Sequence, residues 1–295
     1  MITKSTEKLL LIGCGDIGIR LAKHLELSNI NSSGLRRNTA ALPANIIPIA
    51  CDLNNPAQVQ SELKTEFDYV VITLTPSARN EAGYQQAYVG QVDTIINSLT
   101  NLSKQPKQIL FVSSTSVYAQ NNGEWVDEHS PTEPQDYNGR YIKQAEQAFI
   151  NSELNCSIVR FSGIYGPGRE RLMNKVLAKD WDLNDGHYTN RIHADDCAAV
   201  LAFLLQQSQS RTLLPIYLAS DNEPAPMKEV CAWLAQQLHC DLPVNCDLPE
   251  SPKDLPANKK APQNKRCSNK LLCELGFEFE YSSYREGYGA IINNK

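Results

Sequence analysis

Short apolar runs alternate with amphipathic stretches along most of the chain. Leu9, Leu10, Leu11 and Ile12 are consecutive apolar residues, and Ile19, Leu21, Ala22 and Leu25 then recur at helical spacing. Further strands are predicted at 30–37, 46–50, 69–74, 108–112 and 157–161. Between them lie a helical stretch ending at residue 64, a longer one at 84–99 with Ala87, Val92, Ile95, Ile96 and Leu99 on one face, and a third striped by Ile142, Ala145, Ala148 and Phe149. Strands separated by helices predict an α/β fold with a parallel, doubly wound sheet, because parallel neighbours need a crossover of about a dozen residues or more.

Beyond residue 161 the pattern loosens. The segment 169–188 is polar and only short-range helical, followed by a helix at 197–206 with Asp195 or Asp196 as its N-cap, a strand at 216–219 and a helix at 227–238. Residues 242–264, rich in Pro and Lys, have no apolar periodicity and predict a loop. Lys265, Arg266 and Asn269 then predict the start of a last helix.

The turn between the first strand and the first helix reads GCGDIG, with Gly13, Gly15 and Gly18 in a GxGxxG spacing. After a strand and before a helix, the first glycine permits the turn, the second lets a pyrophosphate approach the backbone, and the third lets helix and strand pack closely. Phosphates are then held by the free N–H groups of the helix N-terminus. The second strand ends in Arg36 and Arg37, where a carboxylate would accept from the 2′-hydroxyl of NAD and an arginine would take the 2′-phosphate of NADP. Asp52, after the third strand, either accepts from the adenine amino group or caps the next helix. Ser113, Ser114, Thr115 and Ser116 follow the fifth strand, and this row of hydroxyls predicts either a polar pocket wall at its carboxyl end or the start of a loop.

Composition narrows the class of protein. A chain of 295 residues suffices for one large domain or a large and a small one, and 42% hydrophobic with 21% charged residues is ordinary for a soluble globular protein. A net charge of -5 gives no electrostatic reason to expect nucleic acid or an anionic membrane surface. Neither a spanning apolar run nor a leader pattern is present, which predicts a cytoplasmic protein. None of the nine cysteines are spaced C-x-x-C, so no metal site is expected; Cys14, Cys51, Cys156 and Cys197 read as small buried hydrophobes.

Five pieces carry a family resemblance: LLLIGCGDIG at 9–18, FVSSTSVYA at 111–119, RFSGIYGPGR at 160–169, NRIHADDCA at 190–198 and NKRCSNKLLCELGF at 264–277. On them the chain resembles the extended short-chain dehydrogenase/reductases, the NAD(P)-dependent epimerase/dehydratase group, over nearly its whole length. GxGxxG in place of the commoner GxxGxxG, with an altered catalytic region, makes it similar to an atypical YeeZ-like branch. The resemblance implies a Rossmann domain at 1–166 and 193–212 and a small C-terminal substrate-binding domain at 167–192 and 213–295. It places Gly13, Gly15, Asp16, Ile17, Gly18, Arg36, Arg37, Asp52, Leu53, Leu74, Ser113, Phe161, Gly163 and Ile164 around the dinucleotide.

In that family a Tyr-x-x-x-Lys pair supplies acid–base chemistry, with a hydroxyl from the preceding strand end orienting the substrate oxygen. Ser114 fills the hydroxyl slot, but the register set by Pro134, Gly139 and Glu146 puts Asn138 in the tyrosine slot and Ile142 in the lysine slot. One residue earlier lie Tyr137 and Tyr141, which share a helix face without a cation; Lys143 is two residues beyond Tyr141, and Ala145 stands four beyond. An unassisted tyrosine, with a pKa of about 10, costs about 4 kcal/mol to ionise at neutrality. The candidate catalytic set is Ser114, Tyr137 and Tyr141, with either tyrosine donating a proton to a carbonyl oxygen. Arg169 and Arg171 face the expected substrate mouth, as anion ligands or as solvated charges, and His193 reads as a packing residue. Lys265, Arg266 and Asn269 read either as substrate-edge residues or as a plain basic helix start.

Two functions follow as expectations. One is an NADP-preferring oxidoreductase or epimerase-like enzyme, with NAD as the alternative cofactor, acting on a small carbonyl, hydroxyl or nucleotide-sugar substrate. The other is a non-catalytic NADP(H)-binding redox sensor that signals through a partner. A homodimer is compatible with either.

Overall fold

Alternate residues of the first strand face opposite layers. In β1 (Glu7–Ile12), Leu10 and Ile12 join one apolar cluster and Leu9 and Leu11 another, none more than 1% exposed. The computed structural model describes residues 6–64, 66–181, 186–241 and 263–294, so residues 242–262 of the expected Pro- and Lys-rich loop lie outside the described residues.

After α1 (Asp16–His24) come β2 (Ile30–Arg36), β3 (Ile46–Ala50), α2 (Pro56–Glu62) and β4 (Tyr69–Ile72). A helical stretch follows as α3 (Glu81–Gln85), a π-turn over Gln86–Gly90 and α4 (Gln91–Thr100), three residues ahead of the start that periodicity predicts. Next are β5 (Gln108–Ser114), β6 (Glu124–Val126), α5 (Tyr137–Ile150), β7 (Cys156–Phe161), β8 (Gly163–Tyr165), α6 (Arg171–Leu177), β9 (Tyr188–Thr189) and β10 (Arg191–His193). The chain continues through α7 (Ala194–Ser208), β11 (Ile216–Ala219), β12 (Ala225–Pro226), α8 (Met227–Gln237), β13 (Lys265–Cys267), α9 (Lys270–Glu274) and α10 (Tyr284–Asn293).

Seven parallel strands form the central sheet, in the order β11, β7, β5, β4, β1, β2, β3. One face is covered by apolar residues of α2, α4 and α5, the other by those of α1 and α7. This is the Rossmann doubly wound architecture that the alternation predicts. Strand order reverses between β1 and β4, which opens a crevice at their carboxyl ends. A third apolar cluster, separate from the two sheet layers, joins Tyr165 to residues of α6, α8 and α10.

Four local expectations are corrected. Ile216–Ala219, on the small-domain side of the expected boundary at 213, pairs with β7 as the edge of the central sheet. Lys265 and Arg266 do not begin a helix, pairing instead with β6 through β13; Asn269 does stand at the N-cap of a helix, α9, and the last helix starts at Tyr284. Asn55, not Asp52, caps α2, its side chain accepting from Gln58 N at 3.2 Å. His193, not Asp195 or Asp196, caps α7, its Nδ1 accepting from Asp195 N at 3.3 Å. Both aspartates sit in that helix's first turn, where the helix dipole favours them.

Candidate active site

The glycine-rich turn fits the expected ligand for different reasons at each glycine. Gly13 has φ +75°, and a Cβ there would lie 2.6 Å from Thr73 O. Thr73 also fixes the turn, its hydroxyl donating to Gly13 O at 2.9 Å. Gly18 packs against Cys14, whose Sγ a Cβ would meet at 3.3 Å. Around Gly15, leaving out its chain neighbours, no atom of the described residues other than Gly13 O comes within 4 Å of such a Cβ, so its bareness leaves a cradle over the start of α1. Gly15 is the N-cap of that helix and brings no side-chain oxygen to its first N–H groups.

Beside the turn lies a cleft of about 680 Å³ lined by Gly13, Gly15, Arg36, Arg37, Asp52, Leu53 and Leu74 among others. Arg36 Nη1 donates to Cys14 O at 3.1 Å, which fixes its guanidinium against the turn, while Arg37 is exposed. Asp52 holds Asn54 through its backbone and side-chain amides, and no basic side chain pairs with it among the described residues. Burial pushes the Cys14 thiol up to about 11, so it forms a neutral wall. Thr75, Ser77, Gln86 and Gln91, which carry no motif signal, add polar groups to the same cleft.

Asp16 points the other way. It accepts from Arg20 Nε at 2.8 Å and from Arg169 Nε at 2.7 Å, and Arg20 also binds Asp195 at 2.5 Å. Burial raises the Asp16 pKa, but the hydrogen bonds from Arg169 and Arg20 outweigh it and hold the carboxyl below its ordinary value. These pairs tie the loop after β8 to α1. Asp16 and Ile164 line a second cavity of about 1050 Å³ with Arg79, Arg169, Arg171 and Lys175.

A third, smaller pocket of about 270 Å³ opens at the ends of β5 and β7. Ser114, Thr115, Ser116, Ser162, Gly163, Asn190, Gln263 and Lys265 are among the residues that line it. Ser114 Oγ accepts from Ser116 N at 3.1 Å, whereas Ser113 turns its hydroxyl to Glu146 at 2.6 Å, beneath α5. Ile17 and Phe161 pack their side chains into the layer of α1 and α7, which leaves their backbone groups as the means of touching a ligand.

The chain matches the model of the NAD dependent epimerase/dehydratase family over residues 9–214. It belongs to that family. A protein assigned as an NAD-dependent epimerase/dehydratase from Methylobacillus flagellatus is 30% identical over 99% of both chains, with a TM-score of 0.79. A conserved protein of unknown function from Silicibacter pomeroyi is 25% identical over 98% of this chain and 99% of its own, with a TM-score of 0.69. UDP-glucuronic acid 4-epimerase from Bacillus cereus, solved with NAD, shares the fold at 16% identity over 97% and 96% of the two chains, with a TM-score of 0.77. No curated protein sequence matches.

The epimerase/dehydratase family is one of NAD-dependent enzymes. Asn138 is half-buried in the tyrosine slot, and Ile142 in the lysine slot is 5% exposed and packed into the sheet layer. Tyr137 and Tyr141 are not brought to Ser114. Tyr137 donates to Arg79 O at 3.2 Å and packs edge-on against Tyr84, while Tyr141 donates to Glu81 at 3.4 Å. Neither lines the Ser114 pocket. A helix one residue out of register swings its side chains by about 100°, which turns both rings toward α3. His193 packs edge-on against Tyr165 and tilted against Tyr281, and burial lowers its pKa; packing is the role expected of it, while its capping of α7 is not.

Proposed function

We propose that the protein is an NADP-preferring oxidoreductase or epimerase-like enzyme acting on a small hydroxyl, carbonyl or nucleotide-sugar substrate. The reading is carried by one observation: the Gly15 cradle and the Ser114 pocket open at the same carboxyl edge of one parallel sheet. In this reading Gly13 and Gly15 admit the pyrophosphate, Asp52, Leu53 and Leu74 flank the adenosine, and Gly163 and Ile164 lie near the nicotinamide. When bound, the nicotinamide supplies or accepts hydride. Ser114 orients the substrate oxygen, and the unit of α6, α8 and α10 serves as the small substrate domain, its Arg169 and Arg171 taking negative charge on the substrate.

Arg36 supports NADP, since its guanidinium stands where a ribose-binding carboxylate would select NAD. Fluorescence titration should give NADPH at least tenfold tighter than NADH, with Arg36→Ala removing most of the difference; equal affinities in the parent protein would overturn the NADP assignment. The sensor reading rests on the emptied Tyr and Lys slots alone, and turnover of any carbonyl or nucleotide-sugar substrate abolished by Ser114→Ala removes it.

A further inference from the structure

Lys265 is the unexplained group in the Ser114 pocket. It is 3% exposed, its Nζ donates to Gln263 Oε1 at 2.6 Å, and no carboxylate pairs with it among the described residues. An ammonium buried without a counter-ion is costly, and such lysines are kept where their proton is used. Its position is held firmly. Asn190 Nδ2 donates to Lys265 O at 2.9 Å and Asn190 Oδ1 accepts from Cys267 N at 2.7 Å, so the pocket wall clamps β13 from both sides. Two other residues lining the same pocket, Ser116 and Ser162, have buried hydroxyls with no hydrogen-bond partner among the described residues. A buried cation and two unpartnered hydroxyls thus belong to the residues that line the pocket with Ser114.

We propose that Lys265 is the acid–base residue of this pocket, exchanging a proton with the substrate oxygen that Ser114 orients. The proposal rests on the enzyme reading above. Toward the alcohol, the carbonyl π bond breaks, the carbon takes hydride from a bound reduced nicotinamide dinucleotide, and the oxygen takes a proton from Nζ; the neutral amine regains a proton from solvent. Toward the carbonyl, the neutral amine removes the hydroxyl proton as hydride leaves the carbon for the oxidised dinucleotide. The surroundings suit this cycle. Burial lowers the Lys265 pKa, which brings the neutral amine within reach. Of the nearby titratable groups, Cys267 is a thiol pushed up to about 12, Glu124 across the β6–β13 pairing is exposed with its carboxylate on Asn122 N, and Arg266 lies between the Trp125 and Tyr188 rings. None of them neutralises Nζ.

A test that needs no known substrate uses glycolaldehyde with cyanoborohydride on the whole protein near neutral pH, followed by peptide mapping. Reductive alkylation should reach Lys265 at least tenfold faster than Lys270, whose side chain is 78% exposed. Alkylation of Lys265 no faster than Lys270, or none, overturns the proposal. The second arm compares Lys265→Met with Lys265→Arg. Both should bind NADPH within about twofold of the parent and lose at least about 100-fold in kcat. Recovery of kcat in Lys265→Arg, which keeps the charge but releases no proton, would overturn the acid–base role. If the parent binds no dinucleotide, the enzyme reading itself fails, and this is seen before Lys265 is changed.

Discussion

Gly13 and Gly15 stand two positions apart and answer to different forces. Gly13 is demanded by the fold, through a positive φ and the approach of Thr73 O, whereas nothing in the protein forbids a side chain at Gly15. Gly13→Ala should therefore cost about 1–3 kcal/mol of stability. Gly15→Ala should leave stability within about 0.5 kcal/mol yet weaken NADPH binding at least tenfold. Urea midpoints and fluorescence titration check the pair, and similar stability losses in both would contradict the cradle. The motif is legible because each glycine acts on its immediate neighbours. Tyr137 and Tyr141 are the opposite case: residue type and spacing named them, but the direction of a ring depends on how its helix lies against α3.

At the scale of one element, α5 shows what an apolar stripe conveys. Ile142, Ala145 and Phe149 do pack into the sheet layer, as their spacing predicts. The same face buries Glu146 completely, which the stripe does not announce. Its carboxylate accepts from Ser113 at 2.6 Å and from Arg160 at 2.8 and 2.7 Å, and Arg160 continues to Tyr118 at 2.9 Å. This network pins α5 to β5 and β7, and so sets where Asn138 stands relative to Ser114. Removing one partner strands the other charge in the core. Glu146→Gln should cost about 3–5 kcal/mol in urea denaturation, and the double variant Glu146→Gln with Arg160→Met should cost less than the sum of its singles.

On the scale of the molecule, the helical unit of α6, α8 and α10 is joined to the sheet through buried polar groups. Asp196 at the start of α7 accepts from Glu280 N at 2.8 Å and Tyr281 N at 3.1 Å, holding the segment before α10. Asp221, just after β11, is 1% exposed; one of its oxygens accepts from Glu223 N at 3.2 Å and the other has no partner among the described residues. Burial pushes its pKa up to about 8, against the opposing pull of Arg191. The folded protein then keeps a proton that the unfolded chain releases near the ordinary value of 3.8, so stability falls as pH rises toward 8. Asp196, at about 6 through burial, adds to the fall in the lower part of that window. Urea midpoints should decline from about pH 6 to about pH 8 in the parent and less so in Asp221→Asn, where no charge forms; parallel slopes would exclude Asp221 as the source.

By itself the sequence determined what depends on near neighbours: the strand–helix alternation, the glycine turn, the arginine at the end of β2 and the absence of a lysine four residues after Tyr137 or Tyr141. Those features act within a few residues of each other, where spacing and residue type are enough. Only the tertiary structure decided that β11 completes the sheet, that Lys265 lies on a strand and not a helix, and that it lines the same pocket as Ser114 from the far end of the sequence. Such placements come from burial and from hydrogen bonds such as Asn190 to β13, which join segments remote in sequence and leave no periodicity in either.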